Sequence, residues 1–205
     1  MATTIQTIET PKHARALDTS GNNNHGQIYS GRALEFDGIT DYLSITEDDA
    51  LNIDLNDFTM AVWVKFAAIP SSSSDEMGII ASTGQDMFGL NNNSWVMKIN
   101  NYWTGGISFV SGRPHINTWY RLVLRRSGTD IKLYLNGVLE GTFTQTGSVV
   151  MNDVFEFDEI GRYSSSANHY FNGKMSDMQI WTTAWSTDDI TYDYLNPESL
   201  ALNRG

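Results

Sequence analysis

Phe58-Thr59-Met60-Ala61-Val62-Trp63-Val64-Lys65-Phe66-Ala67 decides the fold class. Every second residue from Phe58 to Phe66 is large and apolar, which is the period of a strand that buries one face. Its other face, Thr59, Ala61, Trp63 and Lys65, is still mostly apolar, so this strand is expected in the interior of a sheet rather than on its edge. Before this strand, 32–36 and 41–46 read as strands around the turn Asp37-Gly38-Ile39-Thr40. Further strands are expected at 77–83, 95–100, 105–110, 118–126 and 130–135. Asn136-Gly137 then fits a two-residue hairpin turn, because both central positions need positive φ, and 138–144 is the return strand. Strands at 155–161 and 171–182 complete the series. One helix is legible: Ser186 stands at the N-cap with Asp189 three residues on, Ile190, Tyr194 and Leu195 form the apolar stripe, and Pro197 stops it. The pattern predicts an all-β antiparallel two-sheet sandwich with one short C-terminal helix. Ser71–Glu76 and Ser164–Asn168 are expected to be exposed, mobile loops.

The chain of 205 residues suits a single core, and its 40% hydrophobic content with 6 Trp, 9 Tyr and 9 Phe supplies ample apolar area. Thirteen basic against 24 acidic residues leave a formal charge of -11. Such a surface repels phosphate backbones, so nucleic acid is excluded as a partner. Without cysteine there is neither a disulfide nor a thiolate metal site. The start, Met1 to Thr10, lacks the basic end and apolar run of a secretory leader, and no window reaches the roughly 20 apolar residues that cross a bilayer. Synthesis in a host cytoplasm without membrane insertion is the expectation. Ala2–Pro11 alternates Thr with Ile and reads as an arm that pairs with another subunit.

Six phrases recur in a familiar order: Asp18-Thr-Ser-Gly-Asn-Asn-Asn-His25, Leu34-Glu-Phe-Asp-Gly38 with Asp41-Tyr42, Phe58–Val64, Trp119–Val123, Leu133-Tyr-Leu-Asn-Gly137 and Phe171–Trp181. Together they resemble the LamG-like jelly rolls of the concanavalin A-like lectin and glucanase superfamily. The resemblance spans about residues 15 to 185 and implies a jelly roll over 15–205 behind an arm at 1–14. It departs from the family where an Asp-Glu-Val-Arg run is replaced by Asp177-Met178-Gln179-Ile180. Folds of this kind carry lectins, hydrolases and structural proteins alike.

Oxygen-bearing side chains at Asp18, Ser20, Asn22 and Asn24 suit Ca2+, which takes six to eight hard oxygen ligands. The resemblance adds Asp177 as a second carboxylate. The same residues serve equally as Asx-turns. For Asp37 and Asp41, acceptance of backbone amides within the tight turn is the favoured reading. Asn91, Asn93 and Trp95, with Asn101, Tyr102 and Trp103, combine amides and rings as a carbohydrate-binding surface does; the competing reading is a polar turn followed by core tryptophans.

No catalytic residues are assigned. The nearest approach to a glucanase motif, Glu156-Phe157-Asp158-Glu159-Ile160-Gly161, places Ile160 or Gly161 where a third acid would be needed. His13, His25, His115 and His169 are scattered over loops and turns. The expectation is therefore a non-catalytic recognition or architectural module, a decoration, tail or fibre-associated subunit of a phage or viral particle located in the virion. Its partners would be other virion subunits or copies of itself, with surface glycans as further ligands. The alternative is a free-standing carbohydrate-binding, lectin-like protein, and a glycoside hydrolase is the third class.

Overall fold

The computed structural model describes residues 33–45, 56–82, 86–99, 102–143, 157–163 and 169–196, with the backbone alone at 15–16, 26–27 and 102–105. Residues 1–32 and 33–205 form two compact units. In the first, β1 (Arg15–Ala16) pairs antiparallel with β2 (Gly26–Gln27). The expected arm, Leu17 and the loop 164–168 lie outside the described residues.

The second unit contains β3 (Leu34–Asp37), β4 (Leu43–Ser44), β5 (Phe58–Phe66), β6 (Met77–Ala81), β7 (Met87–Leu90), β8 (Ser94–Ile99) and β9 (Tyr102–Ser108). There follow β10 (Trp119–Ser127), β11 (Asp130–Leu135), β12 (Val138–Phe143), β13 (Glu159–Ile160), β14 (Asn172–Trp181) and α1 (Thr187–Leu195). Two six-stranded antiparallel sheets result, in the orders β12-β11-β10-β5-β14-β3 and β4-β13-β6-β7-β8-β9. β5 lies in the interior of the first sheet, as its two apolar faces require. Phe58, Met60, Val62, Val64 and Phe66 point into the core between the sheets and are buried almost completely. Against them pack Phe88, Trp95 and Met97 from the second sheet.

β7 has no counterpart among the expected strands. Met87-Phe88-Gly89-Leu90 is buried on both faces, so the alternation that marks a half-buried strand is missing. The hairpin at Asn136-Gly137 forms as expected, with φ of 52° and 80° and Leu135 opposite Val138. The Ser71–Glu76 loop is exposed from Ser71 to Ser74, as expected, and buried at Glu76. Its serine hydroxyls bond to one another, and the amides of Asn91 and Asn92 donate to the carbonyls of Ser73 and Ser71.

α1 covers part of the outer face of the first sheet. Ile190 packs with Ala61, Val123, Tyr134 and Trp185, and Trp181 joins them. Beside this apolar patch Arg121 and Asp193, neither exposed, form a two-point ion pair of 2.7 and 2.9 Å. Of the expected apolar stripe, Ile190 is buried and Tyr194 part-buried, with the ion-paired Asp193 beside them, while Leu195 is 63% exposed.

Candidate functional site

The outer face of β5 changes character along its length. Thr59, Ala61 and Trp63 are covered on the α1 side, where Tyr194 lies against the Trp63 ring at 6.0 Å. Beyond Trp63 the face is open at Lys65. Register then sets a row across four strands: Glu35 opposite Lys174, Lys174 opposite Lys65, and Lys65 opposite Trp119. Residues directly opposite in antiparallel strands project to the same side, so these four side chains share the open face. Trp119 is 38% exposed.

A cavity of about 310 Å³ opens beside this row. Asp41, Asn117 and Asn172 contribute to its wall along with Glu35, Lys65 and Lys174. Asn117 adopts φ 62° while its amide donates to the Phe66 carbonyl at 2.7 Å. Asn172 is held through its own carbonyl, which accepts from Ala67 at 2.9 Å. Both amide side chains are therefore carried on fixed backbone.

The turn at the rim is locked by Asp37. One carboxylate oxygen accepts from the amides of Ile39, Thr40 and Asp41 at 2.8, 2.8 and 3.0 Å, and the other from the Thr40 hydroxyl at 2.9 Å. The Thr40 amide, followed by those of Ile39 and Asp41, holds this carboxyl far below the ordinary range. Asp41 closes the turn by accepting the Asp37 amide at 3.1 Å. A general acid needs a raised pKa. Asp37 has the opposite, and serves as structure. The cavity as a whole offers ammonium and amide donors, carboxylate and amide acceptors, and a nearby indole. Sugars have matching needs, since their hydroxyls both donate and accept and their C–H faces lie against aromatic rings.

The sequence-predicted sugar residues are placed differently. Trp95 is a core residue with no exposure, ring to ring with Phe88, Phe66 and Phe109, and its Nε1 donates to Glu140 at 3.4 Å. No sugar can reach it. Asn91 is also buried: its Oδ1 accepts from the amides of Asn93 and Ser94, turning the chain from β7 into β8. Asn93 lies at the tip of that turn. Here the polar turn followed by a core tryptophan describes the structure. Asn101 lies outside the described residues, as do the side chains of Tyr102 and Trp103 on β9.

Of the proposed calcium ligands, Asp18, Ser20, Asn22 and Asn24 lie outside the described residues. Asp177 sits in a β-bulge with φ 48°, between the Ser176–Trp63 and Gln179–Ala61 pairs. Its Oδ2 lies 3.2 Å from Arg121 Nη1 and accepts the Gln179 amide at 2.8 Å. A carboxylate already held by a guanidinium fits a cation ligand poorly. Among the described residues no group of three His, Cys, Asp or Glu could hold a metal ion. Glu156 lies outside them, and Glu159 is buried in an ion pair with Arg162.

Two clusters escaped the sequence reading. Arg162 lies 3.6 Å from the Tyr42 ring centroid and 6.0 Å from that of Tyr170. Nearby, Lys98 bonds Glu76 at 2.6 Å and lies over Tyr163, against which His169 stacks at 5.6 Å. Each joins residues of the 162–170 segment to distant ones, Tyr42 in the first and Glu76 and Lys98 in the second, so no local pattern announces them. The cavity had one visible signal, Lys65 on the outer face of an otherwise apolar strand.

A family model described as the concanavalin A-like lectin/glucanases superfamily matches residues 37–191. No curated protein matches the sequence significantly. The native heptameric SAP-like pentraxin of Limulus polyphemus shares the fold with a TM-score of 0.58 at 16% identity, over 79% of this chain and 81% of its own. A candidate carbohydrate-binding protein of Bacteroides ovatus gives 0.59 at 17% identity over 85% of this chain and 52% of the other, so the chain spans about half of that relative. Domain 4 of an extracellular arabinanase of Geobacillus stearothermophilus, solved with arabinotriose, gives 0.50 at 16% identity, over 89% and 81%. Such identities speak for the fold alone. Among the described residues no helix is long and apolar enough to cross a membrane. Two antiparallel sheets in jelly-roll arrangement and a match across most of the length agree: the chain belongs to the concanavalin A-like lectin/glucanases superfamily.

Proposed function

We propose that this protein is a non-catalytic carbohydrate-recognition module whose ligand enters the open cavity on the outer face of the first sheet. The observation that carries the reading is the juxtaposition of an exposed indole, Trp119, with a pocket of mixed donors and acceptors on rigid strands. Sugar-binding descriptions attach to two of the structural neighbours, one solved with arabinotriose, and they lend support in kind. The non-catalytic part is supported by the Glu156–Gly161 phrase, which has Ile160 or Gly161 where a third acid would be needed, and by the engagement of Asp37 within its own turn. A glycan array with the wild type and Trp119→Ala tests the proposal. Saturable binding weakened by the substitution is expected, without release of new reducing ends. Absence of saturable binding across the array, or hydrolysis of bound glycan, would overturn it.

A second reading is favoured by the edge strand β12, where Val138 and Leu139 are 66% and 48% exposed. In it the chain assembles with its own copies or with other subunits of a phage or viral particle. Concentration-dependent association lost in Val138→Lys is the expected outcome, and a monomer at all concentrations with no particle incorporation would count against it.

A further inference from the structure

Lys65 and Lys174 face each other directly across β5 and β14. Like charges directly opposite in a sheet destabilise it, and an anion received between them offsets that cost. The surroundings sharpen the point. Each nearby carboxylate is engaged within the protein: Asp37 by three backbone amides, Asp41 by the Asp37 amide, and Glu35 by Lys174 at 3.2 Å. Among the described residues no acid pairs with Lys65, which is half-buried between Lys174 and Trp119. The Glu35–Lys174 pair is itself weak, since Glu35 is 72% exposed at its side chain. The cavity lining carries two ammonium groups against the carboxylates of Glu35, Asp37 and Asp41, and the cation among them that no described acid pairs with is Lys65.

We infer that the cavity takes a sugar bearing a carboxylate, a uronate or sialate residue, with the acid group received between Lys65 and Lys174 and the ring laid toward Trp119. This rests on the carbohydrate reading above and gives it a ligand class. The carboxylate would supply the counter-charge that Lys65 lacks and relieve the repulsion between the two ammonium groups. Asn117 and Asn172, on fixed backbone at the same cavity, would meet ring hydroxyls. Exposed Glu35 competes with the ligand for Lys174.

The test titrates the full chain with uronate- and sialate-terminated oligosaccharides, each alongside its methyl ester and a sulfated neutral counterpart. The acids should bind about tenfold or more tightly than their esters, the range of a charge-assisted hydrogen bond. Lys65→Met and Lys174→Met should erase that preference, and Glu35→Gln should strengthen it. Without ligand, Lys65→Met should melt at or above the wild-type temperature, because a repulsion has been removed. Equal binding of acids and esters, or preference for the sulfated sugars alone, overturns the carboxylate assignment and leaves carbohydrate recognition standing. A fall in the ligand-free melting temperature of Lys65→Met would show that Lys65 is structural and would overturn it too. No binding by any member of the set would instead sink the carbohydrate reading beneath it.

Discussion

Arg121 shows how one buried charge organises a surface. Its guanidinium donates to both oxygens of Asp193 and to the carbonyl of Asp177, and lies 5.8 Å from the Trp63 ring centroid. With side chains of Arg121 and Asp193 wholly removed from solvent, loss of Arg121 strands a buried carboxylate, and loss of Asp193 leaves the guanidinium only the partly exposed Asp177. Asp193→Ala should cost about 3–5 kcal/mol in denaturant unfolding, whereas Arg121→Met combined with Asp193→Leu should recover most of it. Asp177→Ala separates two roles for that residue. Bonded to Arg121, it should lower the melting temperature equally in calcium and in chelator; a loss seen only with calcium would restore it as a metal ligand. Asp37 carries a pH dependence. Its folded pKa lies below the unfolded one, so its contribution is complete above about pH 4 and disappears as the pH falls through the folded value. The melting temperature of the wild type should therefore fall more steeply in acid than that of Asp37→Ala, and parallel curves would refute the assignment.

At the scale of elements, α1 begins as its sequence demands. The Asp189 amide donates to Ser186 Oγ at 3.1 Å, and the Ser186 amide donates to the Asp189 carboxylate at 3.1 Å. Ser186→Ala should cost about 0.5–2 kcal/mol by calorimetry. The strand β13 is followed by Gly161 at φ 82°, where an added Cβ would stand 2.5 Å from the Phe36 ring. Phe36 in turn packs edge-on against Phe171. Gly161→Ala therefore meets both backbone strain and an aromatic core, and should destabilise by about 1–3 kcal/mol. This glycine is also where a third acid would have been needed in the Glu156–Gly161 phrase, so a hydrolase-like substitution there meets the same obstacle.

Across the whole molecule, the main core is drawn from Phe36 to Met175, and both six-stranded sheets lie within residues 33–205. The jelly roll that the resemblance implies over 15–205 would make residues 15–32 indispensable. Because residues 33–205 form a compact unit of their own, that chain should unfold in one cooperative transition, with fluorescence and circular dichroism coinciding. Loss of cooperativity on that truncation would make residues 15–32 part of the same folding unit.

The two-sheet architecture, the β11–β12 turn and the helix start were legible in the sequence because each rests on local chemistry: alternation along β5, an Asn-Gly pair tolerant of positive φ, and a Ser and Asp spaced for a cap. β7 was not, since a strand buried on both faces carries no alternation to read. Trp95 looked like a ligand platform beside its asparagines until packing placed its ring in the core. The cavity depended on strand register, which brings Glu35, Lys174, Lys65 and Trp119 into one row from four distant segments. Local propensities are written residue by residue, but which side chains meet across a sheet is decided by pairing of strands far apart in the chain, and that only the tertiary structure settles.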